Sequence, residues 1–140
     1  MPWIEIQKDN GGSFVEEPRT VAVIGASQDR HKFGNKAVRA YRSEGWTVFP
    51  VNPHESVIEG LPVFRSILDT PQPIQRVLLY VQPRIVGGLL QDIAQHGVQE
   101  IFFNPGTESH EALSHSRELG LRTHVDCAIV AIGRSPSDPD

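Results

Sequence analysis

The sequence predicts an α/β protein: an open, mainly parallel, five-stranded sheet with helices on both faces. Two observations carry that reading. Short apolar runs alternate with stretches of helical periodicity, and several runs are apolar on successive residues, as strands buried on both faces must be. A glycine also closes each helical stretch, in "EGW", "HGV" and "LGL", where a helix stop is expected.

The first strand is "TVAVIGA", Thr20–Ala26, followed by a helix over Asn35–Glu44 and a second strand, Thr47–Val51. The proline-rich connection "VNPHESVIEGLPVFRSILDTPQPI" offers a short strand at Leu61–Phe64 and at most one helical turn. Strand Arg76–Val81, helix Arg84–Gln95, strand Glu100–Asn104, helix Ser109–Leu119 and strand Arg122–Cys127 complete the pattern. Such alternation gives βαβ units with right-handed crossovers. Residues 1–18 read as a loosely attached arm, 19–133 as the folded domain and 134–140 as a mobile polar tail. Trp3, an apolar group on that arm, is expected to dock on its own domain or on a partner subunit.

At 140 residues the chain makes one domain with a real core. A net charge of −4 argues against a broad nucleic-acid surface, though not against a small anion in a locally basic site. No run of about 18 apolar residues is present to span a membrane. The start "MPWIEIQKDNGG" does not read as a leader peptide, so a cytoplasmic location is expected. The single cysteine, Cys127, excludes an internal disulfide and a multi-cysteine metal site.

In an open parallel sheet, ligands bind beyond the carboxyl ends of the strands. Those ends carry Gly25-Ala26-Ser27, Asn52-Pro53, Val81-Gln82-Pro83, Asn104-Pro105-Gly106 and Asp126-Cys127. Few of these groups move protons, so the rim suits binding through backbone amides and shape better than catalysis. Its first loop holds most of the signal. Gly25 permits a tight turn off the strand, Gly34 would let backbone approach a ligand, and free N–H groups of the first helical turn attract anions. Ser27 adds a hydroxyl, and Arg30, His31, Lys32 and Lys36 add positive charge. Phosphate is the expected guest. Yet the loop fits neither known phosphate template. Positions 25, 27 and 30 are Gly, Ser and Arg where a dinucleotide loop has three glycines, and Asn52-Pro53 replaces its ribose-binding acid. Gly34 is followed by Asn35-Lys36-Ala37, which is not a P-loop. The loop is longer than a dinucleotide loop and can embrace more than one phosphate.

"VAVIGAS…KFGNKAVRAYRSEGWTVFPVNP", "IEGLPVFRSILDTP", "VLLYVQP", "IFFNPGTES" and "DCAIVAIG", taken in that order and spacing, resemble the CoA-binding domain family. These are small stand-alone proteins similar to the amino-terminal domain of succinyl-CoA synthetase alpha subunits, with a Rossmann-like sheet. The likeness runs from about Arg19 to Gly133. It implies that coenzyme A, or an acyl-CoA, is the ligand. It implies contacts at Gly25, Ala26, Ser27, Arg30, Gly34, Asn35 and Lys36 in the phosphate loop, and at Val51, Asn52 and Pro53 beside the nucleotide. It places Val81 and Pro83 near the adenine, with Asn104, Pro105 and Gly106 across the cleft. The synthetase keeps its phosphorylated histidine in a second domain that has no counterpart in this sequence, so ligase activity does not follow from the resemblance.

Cys127 invites two readings, a thiol facing the pantetheine end of CoA or a small buried apolar residue. The six histidines form no H-x-x-x-H or H-E-x-x-H pair, so no metal is expected, and His31 and His54 sit on rim loops where they can meet phosphate. Ser27 lies in no nucleophile elbow. Glu108 and Glu111 read as first-turn carboxylates after an N-cap at Ser109, and Trp46, Phe102 and Phe103 as core. The sequence therefore points to non-catalytic CoA binding, as a CoA-responsive module, a homo-oligomer or a companion to a catalytic partner. Two alternatives stay open: a small NAD(P)-dependent oxidoreductase, and a protein-docking module whose nucleotide cleft is vestigial.

Overall fold

Val21, Ala22, Val23 and Ile24 are all buried, so the first strand of the central sheet has no solvent face. The computed structural model describes residues 6–8, 14–16 and 19–138. Trp3 and most of the arm lie outside the described residues. Strands β1 (Ile6–Lys8) and β2 (Phe14–Glu16) form a separate antiparallel pair.

The central sheet comprises β3 (Thr20–Ile24), β4 (Thr47–Val51), β7 (Arg76–Leu79), β8 (Glu100–Phe103) and β9 (Arg122–Val125). Its order is β4-β3-β7-β8-β9, with every neighbouring pair parallel. The expected five-stranded α/β fold is the one observed. The connection away from β3 reverses direction there: β4 lies on one side of it and β7 on the other. A crevice therefore opens beyond the carboxyl ends of β3 and β7, the switch point where such sheets bind ligands.

Alternate side chains of β3 feed two cores. Ala22 and Ile24 join Val77, Leu79, Ile101 and Phe103, covered by Val86 of α2 (Pro83–Val86), Leu90 and Ile93 of α3 (Leu90–Gln95) and Ala112 of α4 (His110–Glu118). Val21 and Val23 join Leu78 and Phe102 under Ala37, Val38 and Tyr41 of α1 (Phe33–Ser43), with Ala128 and Ile129 beyond β9. The three helix-closing glycines, Gly45, Gly97 and Gly120, all take positive φ, as expected of helix stops. Ser109 caps α4 by accepting from the Ala112 amide at 3.1 Å.

Two expectations need correcting. The helix expected over Arg84–Gln95 is broken: residues 87–89 form a turn between α2 and α3, because the Gly87-Gly88 pair is a poor helix former. The expected strand at Leu61–Phe64 is only β6 (Leu61–Pro62), paired antiparallel with β5 (Val57–Ile58), plus a single bridge from Phe64 to Val51. Positive φ at both Glu59 (50°) and Gly60 (77°) turns this hairpin in two residues, the geometry that matches strand twist. The one helical turn of the connection is present as a 3₁₀ turn at Ile67–Asp69.

A charged cluster sits under α1. The Glu100 carboxylate accepts from Arg76 Nε and lies against His124 Nε2, both at 2.9 Å, with side-chain exposures of 6% for Glu100 and 15% for Arg76. The Arg76 guanidinium lies over Trp46 and Phe102, 4.8 and 4.7 Å from their centroids, and donates to the Tyr41 hydroxyl at 3.1 Å. That hydroxyl donates to the Ala128 carbonyl at 2.7 Å, and burial holds the Tyr41 phenol above its usual pKa. Glu100→Ala would strand the Arg76 guanidinium in this apolar setting. Urea unfolding of that variant should show a loss of about 3 kcal/mol; a loss below about 0.5 kcal/mol would mean that the pair carries no net stability.

Candidate functional site

Gly25 ends β3 with φ +90°, and a Cβ there would collide with the Tyr80 carbonyl at the end of β7. Its amide donates to the Val51 carbonyl at the end of β4, at 3.1 Å. Nine residues later, a Cβ at Gly34 would collide with the Gly25 carbonyl. The role expected of Gly34, letting a ligand approach, is therefore joined by another: it lets the helix start touch the strand end. Lys32 is the N-cap of α1, and no side chain caps that helix. The Asn35 amide bonds the Lys32 carbonyl at 3.1 Å, and the amides of Phe33 and Gly34 are left to whatever enters the crevice.

The crevice is a cleft of ≈ 320 Å³. Gly25, Lys32, Phe33 and Gly34 form one wall, Tyr80, Val81, Gln82 and Pro83 the second, and Pro105, Gly106 and Thr107 the third. Of the residues expected in the site, it thus brings together Gly25, Gly34, Val81, Pro83, Pro105 and Gly106. Lys32, Phe33, Tyr80, Gln82 and Thr107 line it as well.

The remaining expected residues have other occupations. Asn35 is fully buried; its Nδ2 donates to the Ser27 carbonyl at 2.8 Å and to Glu59 at 3.1 Å, and its Oδ1 accepts from Arg39 Nε at 2.7 Å. Asn52 donates to the Ala26 carbonyl at 2.8 Å and accepts from the His54 amide at 2.7 Å. Asn104 donates to the Leu79 carbonyl at 3.0 Å and accepts from the buried Ala128 amide at 2.9 Å. Asn52 and Asn104 fasten strand ends, and Asn35 fastens the helix start to the loop and the hairpin. Val51 and Ala26 belong to the two cores, and Pro53 is exposed.

The loop cations divide in the same way. Arg30 pairs with Glu59 at 3.2 Å, while Lys36 lies over the Phe33 ring at 5.3 Å and faces Arg134, Pro136 and Asp138 across α1. Lys32 is the loop cation that lines the cleft. Ser27 Oγ accepts from the Asp29 amide at 3.0 Å, and the His31 amide donates to the Asp29 carboxylate, holding it below its usual pKa. The helix begins at Phe33, not Asn35; Lys32 precedes it in extended backbone and lines the cleft, whereas Lys36 lies within it.

A second cavity of ≈ 230 Å³ adjoins the cleft, sharing Phe33, Tyr80 and Pro105 with it and adding Asn104, Cys127 and Pro136. Cys127 is a free, partly buried thiol on this wall. The Tyr80 hydroxyl is buried and has no hydrogen-bond partner. Burial, and secondarily Cys127 and Tyr41, raise its pKa, so it remains an O–H donor. Among the described residues, no three His, Cys, Asp or Glu side chains gather where a metal could sit, and no helix is long and apolar enough to cross a membrane.

The CoA binding domain family matches residues 19–133. Part of the chain is 32% identical over 82 residues to an ADP-forming acetate–CoA ligase of Archaeoglobus fulgidus, covering 59% of this chain and 12% of that protein. A trans-feruloyl-CoA synthase from an unknown prokaryote is 28% identical over 119 residues, or 81% of this chain and 16% of that protein. The chain thus spans only a small part of these curated relatives. Among solved structures, a conserved hypothetical protein of Pyrococcus furiosus superposes with a TM-score of 0.75 at 29% identity, covering 81% of this chain and 98% of that one. A dinucleotide-forming acetyl-coenzyme A synthetase of Candidatus Korarchaeum cryptofilum superposes at 0.70 and 26% identity, over 79% of this chain and 26% of that one.

Asn35 offers a direct check of the fastened loop. Asn35→Ala removes one amide from three partners and should cost about 1–3 kcal/mol in urea unfolding. Amide exchange across residues 27–31 should quicken in the same variant. Wild-type exchange there, at wild-type stability, would contradict a fastening role.

Proposed function

The chain belongs to the CoA binding domain family, and on that premise we propose that it binds coenzyme A or an acyl-CoA in the cleft over the β3–β7 switch point, without itself carrying out a reaction. The observation that carries this reading is the uncapped start of α1, opening beside Lys32 on to a cleft walled by Gly25 and Gly106. Helix amides, the helix dipole and one lysine suit a pyrophosphate, and a 3′-phosphate adds a second anionic group for the loop. Val81 and Pro83 offer aliphatic faces to the adenine. Gly25, Gly34 and Gly106 meet the ligand through backbone. Ala26, Ser27, Arg30, Asn35, Val51, Asn52, Pro53 and Asn104 hold the loop and strand ends in place. Lys36 stands outside the phosphate contact, and Cys127 faces the pantetheine end from the adjoining cavity.

The curated relatives are much longer ligases and a synthase, in which the matched segment is a small share. We therefore also propose that the chain works beside a catalytic partner protein, supplying the CoA site while the partner supplies the chemistry.

Calorimetric titration with CoA, acetyl-CoA, NAD and NADP tests the reading. Micromolar binding confined to the CoA species is expected. Lys32→Ala should weaken it roughly five- to tenfold, as loss of one charge-assisted contact does, while Lys36→Ala stays within about twofold of wild type. Binding of NAD or NADP without CoA would favour an oxidoreductase, and no binding of any of the four a docking module.

A further inference from the structure

Residues beyond the family match build part of the second cavity. The Arg134 guanidinium reaches back to α1, donating from Nη1 to Ser43 Oγ and to Glu44 Oε2 (3.2 Å), and from Nε to Asp138 Oδ2 (3.3 Å). The same Asp138 oxygen accepts from the Ser135 amide at 2.8 Å, and the Asp138 amide donates to the Ser135 carbonyl at 2.9 Å. Residues 135–138 are thereby closed into one turn. Pro136 occupies its second position, where a fixed φ is favourable and no amide proton is needed. The turn leans on α1 beside Lys36 and Ala40, and Pro136 reaches past the helix to line the cavity with Phe33, Tyr80, Pro105 and Cys127.

That cavity has the character of an acyl site. Its wall is mainly apolar, and it shares Phe33, Tyr80 and Pro105 with the cleft. An alkyl group reaching in from the cleft would lie against the two aromatic rings and the two prolines. We propose that the cavity receives the acyl end of a CoA thioester, and that the turn carrying Pro136 sets the limit on chain length. This assignment rests on the CoA reading above and names the form of CoA that the site takes. At ≈ 230 Å³ the cavity has room for about eight carbons, since about 150 Å³ is enough for a benzene ring, and then meets Pro136.

The experiment titrates CoA, acetyl-CoA, butyryl-CoA and dodecanoyl-CoA into the full chain and into Pro136→Gly and Arg134→Ala variants, with thermal melts to confirm folding. For the wild type, affinity should rise from acetyl to butyryl by about fourfold per methylene and fall again at dodecanoyl. Pro136→Gly and Arg134→Ala should each tighten dodecanoyl-CoA at least about tenfold while leaving free CoA within about twofold. Binding of free CoA with an affinity indifferent to chain length, or a chain-length profile that neither tail variant alters, would overturn the acyl assignment alone. Failure of every CoA species to bind would remove the CoA reading and the acyl site together.

Discussion

How close the end of β3 comes to the start of α1 decides the shape of the whole ligand rim. Gly25 is gripped from three sides: its amide bonds the end of β4, and its missing Cβ admits the Tyr80 carbonyl at the end of β7. On the third side its carbonyl touches the bare Cα of Gly34. A side chain at either glycine would wedge the helix from the sheet and carry the first-turn amides away from the switch point. The absence of two methyl groups thus serves packing and binding at once. This is the close helix–strand contact for which dinucleotide-binding folds use a glycine, although the spacing differs.

The asparagines of the rim extend that constraint. Asn35, Asn52 and Asn104 look like ligand residues in the sequence, being polar groups at strand ends and at the helix start. Each instead holds a backbone carbonyl: those of Ser27, Ala26 and Leu79. Amides with most of their capacity engaged, two of the three buried, make a rigid rim and leave little of it for chemistry. A rigid rim also avoids some of the ordering cost that a ligand would otherwise have to offset.

Most strands of the central sheet were legible because apolar residues run consecutively in them, β9 with its single valine being the exception, and the helix ends because a glycine follows them. The rim was legible as a set of segments, since strand ends can be counted. What could not be counted was the phase of side chains around a helix start. Lys32 and Lys36 stand four residues apart, nearly on one face of a continuous helix; Lys32 instead precedes the helix in extended backbone, and of the two it is Lys32 that lines the cleft. Nor could a local pattern show that Glu59, on a hairpin, would meet Arg30 and Asn35 across more than twenty residues of sequence. Pro136 lay in a segment expected to be a mobile tail; only the reach of Arg134 to Ser43 and Glu44 connects it with the cavity.

These pairings also decide how charge acts at the cleft. The loop "DRHK" suggests a strongly basic site, but Arg30 is matched by Glu59, and the His31 ring lies 3.4 Å from Asp29. Lys36 faces across α1 toward Asp138. What remains at the cleft is one lysine and the dipoles of a helix start, on a chain whose net charge is −4. Such a field is local. It fades within a Debye length of about 8 Å at physiological salt, so it does little to draw anions from a distance. An anion already inside the cleft, aligned with the helix axis, meets it at full strength. Discrimination therefore falls to geometry, to where a phosphate must sit to reach the first-turn amides and what the rest of the molecule then touches along Phe33, Tyr80 and Pro105.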